Sequence, residues 1–460
     1  MLVRVVPSTL VAALLMVAPA LAQSQPKVLP KAQSQGQPKA QSQAQPKAPN
    51  TTESPAVPAP PVQTVPSPAK MPDPTYDEGT AQRIAAALLS YSALEVRGGW
   101  PTVPASPKLA PGGSGPEVAV LRERLAITDD LAPEHIRGEA YDATVAAAVR
   151  RFQARHALEE TGTIGPKTLA ALNVPVTRRV RQLAASLDRL AALDFQFGQR
   201  YVVVNLPAAF VEAVVGNKVV RRHVVQVGRP DRPSPTLTTY ITTVNLNPTW
   251  TVPLGILKKD VIPKMRKDPG YAERMHMRVL DAAGNEVDPR GVDWNSDRAP
   301  NFTIRQDSGN WNALGAVRID MPNAHSVYMH DTNHREFFSA DYRFQSSGCT
   351  RVENPRDLAA WVLEETPGWS RREIDAAIAK GPKVDIRVAH KIPVAWIYLT
   401  GWATRDGTIH FRDDIYGHDE KRELVAELRP SMATAARAFV LQSADTRPAD
   451  LKPVSYLDSQ

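Results

Sequence analysis

RYVVVNLPAAFVEAVVGNKVVRRHVVQVG, residues 200–228, marks a change in the character of the chain. Its valines cluster and alternate with polar residues, a pattern that is typical of β-strands rather than helices. Gly216 and Asn217 separate two such runs, and both residues suit a tight hairpin turn. Strand patterns continue to Tyr416, with Asp406 and Gly407 as a second hairpin turn. The sequence therefore predicts a mainly β domain over residues 199–420.

The preceding 120 residues have helical spacing instead. Apolar residues recur there every three to four positions in five stretches, 76–94, 116–127, 143–158, 161–174 and 178–193. Thr163 to Pro166 forms a turn before the fourth stretch, and Pro166 suits the first turn of a helix. We therefore expect a helical bundle over residues 76–198, with the last helix packed against the first. The fold class is α+β, with more than one domain.

A polar segment interrupts the β-rich half. Residues 257–280 and 284–315 are rich in charged residues, proline and glycine, and they are longer than ordinary connections between strands. We expect an inserted lid subdomain over about 257–315.

Both ends of the chain differ from this folded part. Residues 1–22 have a basic start at Arg4, an apolar stretch from Leu10 to Val17 and a small-x-small ending, which predicts a cleavable signal peptide. The apolar stretch is shorter than the roughly 20 residues that span a bilayer, and we expect no integral membrane segment after cleavage. Residues 421–460 are expected to be helical and then disordered.

Residues 23–75 have the composition of a disordered tether. They consist mainly of proline, glutamine, alanine and serine, and they offer too little apolar surface to offset the entropy of ordering. Five lysines against Glu53 give residues 23–70 a net charge of +4, and Arg4 adds +1, so +2 of the formal +7 remains for residues 71–460. This distribution does not support nucleic-acid binding by the folded part.

Cys349 is the single cysteine of the chain. An exported protein with one cysteine has no internal disulfide, so the side chain is a free thiol, an intermolecular bridge or a buried apolar residue. Small residues precede it, in the stretch Ser346-Ser347-Gly348, and they leave room for a substrate backbone.

A histidine that removes the proton of the thiol would make it a nucleophile. His330 lies nineteen positions before Cys349, just after a predicted strand. A lone histidine is more often structural, and the chain offers competing histidines at His223, His325, His334, His390 and His410. No spacing of potential ligands indicates a metal site, and we find no phosphate-binding loop and expect no cofactor.

Two resemblances add to this interpretation. The first covers residues 112–174, which resemble the three-helix peptidoglycan-binding domain found beside many cell-wall enzymes. It is carried by Phe152, Gln153, Gly162, Ile164, Gly165, Thr168, Leu169 and Leu172. A helical spacer that binds no wall polymer is the alternative.

The second resemblance covers residues 76–416. VYMHDT followed by SSGCTRV resembles the signature of L,D-transpeptidases with a YkuD-type catalytic domain. Ser347 stands where the commonest form has histidine, and Arg351 stands where it has asparagine; both departures match the large, YcbB-like branch. The resemblance implies that Cys349 is the nucleophile and His330 the base, and that Ser347, Gly348 and Arg351 complete the motif.

The resemblance also frames the neighbouring residues. The N–H groups of Gly348 and Cys349 are candidate oxyanion donors. The main-chain carbonyl of Asp331 is a candidate partner for the second nitrogen of the imidazole, and Tyr328 and Asp331 are candidate substrate-binding residues. Arg351 would orient the loop or meet substrate carboxylates, or else form an ion pair with Glu353 or Asp357, and Tyr328 would otherwise serve packing.

The implied function is peptidoglycan cross-linking in the periplasm, in association with the cell wall. A tetrapeptide donor stem would acylate Cys349 and an acceptor stem would take the acyl group to give a 3→3 bond, with carbapenem-type β-lactams as inhibitors. Two alternatives stay open at this point. One is a thiol carboxypeptidase or endopeptidase that hydrolyses stem peptides, and the other is a non-catalytic wall-binding protein.

Overall fold

The computed structural model describes residues 70–420, except 269 and 341. The predicted signal peptide, nearly all of the tether and the C-terminal segment lie outside the described residues. The chain divides into two compact units, 1–58 and 59–460, and every described residue belongs to the second. No helix within the described part of the chain has the length and apolar character needed to cross a bilayer.

From residue 70 to the first strand, five α-helices are present, as the sequence predicted. They are α1 (Thr80–Val96), α2 (Pro116–Ile127), α3 (Ala143–Arg155), α4 (Pro166–Leu172) and α5 (Val176–Ala191). The apolar faces of α1 and α5 share one core, in which Ile84 and Leu88 belong to the same cluster as Leu183. The prediction that the last helix packs against the first is therefore confirmed.

Helices α2 to α4 surround a core of their own, with Leu121, Val149 and Phe152 fully buried. Gln153 explains why a glycine-rich turn follows α3. Its side-chain carbonyl accepts a hydrogen bond from Gly162 N–H at 2.8 Å, and its amide donates to Thr168 Oγ1 at 3.1 Å. Gly162 has a φ of 72°, which glycine adopts without strain.

Between residues 200 and 420, the part of the second half that the structure describes, fifteen strands are present, and most of them form one curled sheet. The strands are β1 (Arg200–Asn205), β2 (Phe210–Val215), β3 (Lys218–Gly228), β4 (Leu237–Leu246), β5 (Trp250–Thr251), β6 (Met277–Leu280), β7 (Glu286–Val287), β8 (Thr303–Gln306), β9 (Val317–Asp320), β10 (Met329–His330), β11 (Phe344–Ser346), β12 (Thr350–Val352), β13 (Val384–Ile397), β14 (Gly401–Ala403) and β15 (Ile409–Phe411).

The large sheet has the order β11-β3-β12-β10-β9-β4-β13-β1-β2, and β2 also pairs with β3. Because β3 closes the circuit with β2, eight of the nine strands form a closed ring around one apolar core, and β11 pairs with the end of β3. Helices α9 (Pro355–Val362) and α10 (Arg371–Lys380) add Leu358 and Ile374 to the same core. The α+β fold class predicted from the sequence is confirmed.

The run from Arg200 to Val215 is one strand pattern in the sequence but two antiparallel strands in the structure. A turn over Leu206–Ala208 separates β1 from β2, and Ala209 has a left-handed φ of 50°. The uninterrupted apolar character hides this hairpin, because both strands are buried on both faces. The predicted turn at Gly216 and Asn217 is confirmed, with φ values of 54° and 62°.

The two faces of β1 contact different parts of the molecule. Val202 and Val204 point into the core of the ring, whereas Tyr201 and Val203 pack against the core of α1 and α5. All four side chains are fully buried. The helical half is therefore packed directly onto the outside of the ring of strands.

The polar insertion forms a small unit with its own sheet, in the order β5-β8-β6-β7. Its helices are α6 (Leu254–Ile256), α7 (Ile262–Lys267) and α8 (Tyr271–Arg274), and a π-helical turn, Leu257–Val261, joins the first two. Met265, Val279 and Ile304 are fully buried in its core. The assignment of this unit as a lid stays a prediction.

Candidate active site

Two short parallel strands bring the predicted nucleophile and base together. In β10 and β12, Met329 lies opposite Thr350, and Thr350 N–H donates to the carbonyl of Tyr328 at 3.1 Å. One position earlier on each strand, Cys349 therefore lies beside Tyr328. His330 lies two positions beyond Tyr328 on the same face, because alternate residues of a strand share a face. For ideal strand spacing, the Cα atoms of Cys349 and His330 are about 8 Å apart.

The orientation of His330 is fixed by a main-chain acceptor. Its Nδ1 lies 2.5 Å from the carbonyl oxygen of Asp331, and since a carbonyl oxygen only accepts, Nδ1 carries the proton. Nε2 is then the unprotonated nitrogen. The contact predicted between this carbonyl and the imidazole is present. Burial, and then the nearby cation of Arg351, lower the pKa of His330 to about 3, so the imidazole is neutral at physiological pH.

Cys349 is partly buried beside Tyr328 and packs against the core of the ring. Burial raises the pKa of its thiol to about 11, and hydrogen bonds from Tyr328 and the charges of Arg318 and Arg351 oppose that shift without reversing it. The free site therefore favours a neutral thiol and a neutral imidazole. This differs from the ion pair that a low-pKa cysteine would form with histidine.

The loop before Cys349 is held by short hydrogen bonds. Ser346 Oγ donates to the carbonyl of Cys349 at 2.6 Å, and Ser234 Oγ donates to the carbonyl of Gly348 at 2.8 Å. Gly348 has a φ of 115°, a conformation that disfavours residues with a Cβ atom. Its N–H donates to Ser346 Oγ at 3.2 Å, so one of the two predicted oxyanion donors already has a partner in this arrangement.

Ser347 connects the loop to the insertion. Its exposed hydroxyl accepts a hydrogen bond from Arg232 Nη1 at 3.2 Å. The same guanidinium forms an ion pair with Asp260, with an Nη2–Oδ1 distance of 2.9 Å. Asp260 belongs to the π-helical turn of the insertion. Sequence reasoning missed this connection, because 115 and 28 residues separate its members along the chain.

Arg351 has a different partner from those expected. Its Nη1 donates to the side-chain carbonyl of Gln226 on β3, at 2.5 Å. Within the described part of the chain, Asp357 pairs with Arg371, and neither Glu353 nor Asp357 forms an ion pair with Arg351. The alternative ion pair is therefore wrong, since strand pairing places Gln226 directly opposite Arg351.

The carboxylate of Asp331 is used within the protein. It accepts hydrogen bonds from the N–H groups of Ala316 at 3.0 Å and Thr332 at 2.8 Å, and it is almost fully buried. The assignment of Asp331 as a substrate-binding residue stays a prediction. Its main-chain carbonyl positions His330.

Tyr328 lies between the thiol and a wide cleft. The side chain of Tyr328 is buried, and this burial raises the pKa of its hydroxyl. The guanidinium carbon of Arg318 lies 4.4 Å from the centre of the Tyr328 ring. The cleft has a volume of about 650 Å³ and separates the sheet from the start of the insertion. We call it the insertion cleft, and its polar and aromatic lining includes Asn245, Trp250, Arg305, Arg318, Tyr328 and Lys383.

Sequence reasoning did not identify the cations of this cleft. Arg318 lies opposite His330 in the β9–β10 pair and opposite Asn245 in the β4–β9 pair. The available signal was the alternating stretch VRID, residues 317–320, in which Arg318 points to the face opposite that of its apolar neighbours. When this strand pairs with the strand of His330, the two side chains lie on the same face of the sheet. Arg305 and Lys383 carry no local signal of their own.

Metal ligands are not grouped here. Within residues 70–420, apart from 269 and 341, no cluster of three or more histidine, cysteine or acidic side chains is arranged to hold a metal ion.

Comparison with known proteins gives two family matches. Residues 199–384 match the family described as "YkuD: L,D-transpeptidase catalytic domain", and residues 114–172 match "Putative peptidoglycan binding domain". A protein of Haemophilus influenzae (strain ATCC 51907 / DSM 11121 / KW20 / Rd) described as "Putative L,D-transpeptidase" is 32% identical over 246 residues, which are 53% of this chain and 49% of that protein. The chain therefore spans about half the length of this relative.

Solved structures of the same description are more distant. An L,D-transpeptidase from Mycobacterium smegmatis is 15% identical, with a TM-score of 0.21, over 43% of this chain and 58% of that one. The LD transpeptidase LdtMt1 in complex with imipenem is also 15% identical, with a TM-score of 0.21, over 43% of this chain and 59% of that one. The similarity therefore lies at the level of domains: residues 199–384 match the L,D-transpeptidase catalytic domain of the YkuD family, and residues 114–172, which precede it, match the peptidoglycan-binding domain.

Proposed function

We propose that this protein is a peptidoglycan L,D-transpeptidase that forms 3→3 cross-links between stem peptides through a thioester on Cys349. The observation that carries the proposal is the tautomer of His330. Its Nδ1–H is held by the carbonyl of Asp331, which leaves Nε2 available as the base on the strand beside the nucleophile loop.

The first half of the reaction uses this neutral pair. The thiol sulfur attacks the carbonyl carbon that precedes the terminal D-alanine of a donor tetrapeptide, while Nε2 of His330 takes the thiol proton. The C–N bond breaks, and the imidazolium returns the proton to the departing amine of D-alanine. The product is a thioester on Cys349. Proton transfer during the attack agrees with a resting thiol whose pKa is raised.

The insertion cleft supports a donor stem as the substrate. Its cationic side chains, Arg305, Arg318 and Lys383, suit the free carboxylates of a stem peptide, and Trp250 and Tyr328 offer apolar contact. Tyr328 joins this cleft to Cys349, so a peptide bound there would present its carbonyl near the sulfur. We assign Tyr328 to substrate positioning on this basis, and Ser347, Gly348 and Arg351 to the shape of the loop.

Action in the periplasm, in association with the wall, follows from the same proposal. The wall polymer is the substrate, and the domain at residues 114–172 belongs to a peptidoglycan-binding family. The predicted export signal at residues 1–22 agrees with that location.

The test is acylation of Cys349. The purified protein is incubated with a carbapenem and with a tetrapeptide donor, and its intact mass is measured. We expect one acyl group per chain in the parent and none in Cys349→Ala. His330→Ala should react at least about a hundredfold more slowly, since a general base contributes roughly 10²–10⁴. An unchanged mass of the parent would contradict the proposal and would favour the non-catalytic alternative.

The hydrolytic alternative is separated by the products. A transpeptidase yields dimeric muropeptides from a mixture of donor and acceptor, whereas a carboxypeptidase or endopeptidase yields shortened stems alone. Mass spectrometry of the products distinguishes the two outcomes.

A further inference from the structure

A second cleft lies between helix α4 and strand β11. It has a volume of about 330 Å³. We call it the module cleft, and it is lined chiefly by Lys167, Ala170, Arg179, Tyr342, Phe344 and Arg412. Its two walls therefore come from the peptidoglycan-binding domain and from the segment that leads into Cys349.

The module cleft is positively charged at its base. Arg179 and Arg412 are both at least 95% buried, and Arg412 Nε and Nη2 have no hydrogen-bond partner among the described residues. Burial is also the main reason why the pKa of Arg412 is lowered to about 9. Asp413 is the acidic residue on the rim of the cleft. Two buried guanidinium groups with one exposed carboxylate beside them favour an anionic occupant.

Aromatic side chains form the opposite wall. Tyr342 is 46% exposed, which is unusual for so large an apolar side chain, and its ring contacts Phe344 at 5.4 Å between centroids. Phe411 also lines the cleft, and Arg179 lies 4.6 Å above its ring. The combination of an open aromatic surface and buried cations suits a peptide with free carboxylates better than a neutral sugar.

The order of the strands places Cys349 between the two clefts. β11 contributes to the module cleft, β9 and β4 contribute to the insertion cleft, and β12 and β10 lie between them in the sheet. Phe344 precedes Cys349 by five residues, so their Cα atoms are at most about 18 Å apart. A peptide of about five residues can span that distance.

We propose that the module cleft binds the acceptor stem peptide through its carboxylates. This proposal rests on the proposed function and adds the binding site of the second substrate. A hydrolase needs one peptide site and water, whereas a transpeptidase needs a site for each peptide.

The acceptor step is balanced within this arrangement. The side-chain amine of the acceptor attacks the thioester carbonyl, a C–N bond forms and the C–S bond breaks. The sulfur leaves as a thiolate, and the proton lost by the amine passes through His330 to the sulfur. The free enzyme is restored with its neutral thiol.

Ala170→Glu tests the proposal. Ala170 is exposed on α4, so a glutamate there adds a negative charge to the cleft while keeping a good helix former. The matched control is Ala86→Glu, the same change at an exposed position of α1 that does not line the cleft. Two quantities are measured for each protein. The first is the rate of thioester formation with the donor alone. The second is the acceptor concentration that gives half-maximal dimer formation.

We expect Ala170→Glu to raise the half-maximal acceptor concentration about five- to tenfold, and Ala86→Glu to leave it at the parent value. Tyr342→Ala, at an exposed position, should raise the half-maximal acceptor concentration as Ala170→Glu does. Unchanged acceptor dependence in Ala170→Glu and Tyr342→Ala would overturn the proposal. Equal loss of thioester formation and dimer formation in a folded Ala170→Glu variant would also overturn it. Failure of the parent to form the thioester would instead contradict the proposed function.

Discussion

The thiol of Cys349 and the imidazole of His330 have pKa values shifted in opposite directions by the same cause. Burial disfavours the charged form of each group, so the thiol pKa rises to about 11 and the imidazole pKa falls to about 3. The resting site avoids a buried ion pair and keeps the imidazole unprotonated. In the proposed mechanism, the carbonyl of the substrate takes up the charge as the proton moves from sulfur to imidazole.

This arrangement predicts the pH dependence of thiol alkylation in the absence of substrate. Only the thiolate reacts, and a raised pKa means that the thiolate fraction grows as pH increases. The alkylation rate with iodoacetamide should therefore rise through pH 8, 9 and 10 without levelling off below pH 11. A rate that levels off between pH 5 and 7 would indicate a thiolate–imidazolium pair instead. Denatured protein provides the reference curve.

Gly348→Ala tests the strain of the loop that precedes Cys349. A Cβ atom at this position would meet no atom closer than 3.7 Å, so the cost comes from the φ of 115° rather than from a clash. We expect a loss of roughly 1–3 kcal/mol in stability or a displaced loop, with slower acylation of Cys349. Gly407→Ala is the control, because Gly407 has a φ of 83° in the hairpin between β14 and β15, with open space around it. It should lose stability and keep its acylation rate, as measured by urea unfolding and by adduct formation.

At the scale of elements, the side chain of Arg232 links the insertion to the loop that precedes Cys349. Arg232 contacts both Asp260 of the π-helical turn and Ser347, the neighbour of Gly348. The ion pair is partly exposed, so its contribution to folding is small, about 0.5–1 kcal/mol. Its effect should instead be on how the insertion lies over the loop.

Asp260→Asn should therefore slow acylation by roughly two- to fivefold with little change in unfolding. The matched control is Asp307→Asn, since Asp307 has almost the same exposure, 36% against 35%, and pairs with Arg278 inside the insertion. Partial recovery of the acylation rate in the double variant with the charges reversed, Arg232→Asp with Asp260→Arg, would support a direct effect of this ion pair on acylation. Equal effects of Asp260→Asn and Asp307→Asn would contradict it.

The same ion pair has a defined pH dependence. The hydrogen bond from Arg232 lowers the pKa of the Asp260 carboxyl in the folded protein. Its contribution is therefore present above the ordinary carboxyl pKa of about 4 and is lost as pH falls through the lowered value. Acylation of the parent at pH 5 to 8 should not be limited by this contact.

For the whole molecule, the helical half covers a face of the sheet that water would otherwise reach. Tyr201, Val203 and Phe210 on the outside of the ring pack into one core with α1 and α5. A hydrogen bond also joins the two halves, because Arg155 at the end of α3 donates to the main-chain carbonyl of Ile409 on β15 at 3.3 Å. A buried ion pair with Asp130, inside the helical half, holds the Arg155 side chain in place, with 7% and 3% of the two side chains exposed.

A shortened protein that begins at residue 199 should therefore be poorly soluble, because an apolar face of the sheet becomes exposed. Replacing Tyr201 and Phe210 by polar residues in the shortened protein should improve solubility. Sedimentation of the expressed protein measures both effects. A soluble, folded and active fragment would show that the helical half does not stabilise the sheet.

Much of the fold was available from the local pattern. Helical spacing over residues 76–193 and β-branched runs after Arg200 depend on period and side-chain type, which neighbouring residues determine. The β1–β2 hairpin was missed, because both strands are buried on both faces and the residues of the turn, Leu206–Ala208, are themselves apolar. The predicted pair of Cys349 and His330 rested on a resemblance of the motif, and the register of β10 and β12 is what supports it.

The sequence by itself determined the kinds of element, the family resemblance and the candidates for nucleophile and base, because these follow from residues close together along the chain. The tertiary structure decided the partners. Asp331 holds the imidazole through its carbonyl, Arg351 meets Gln226, Arg232 joins the insertion to Ser347, and Arg412 reaches a cleft against α4. These contacts join strands and loops that are distant in sequence, and the closure of the sheet into a ring brings them together.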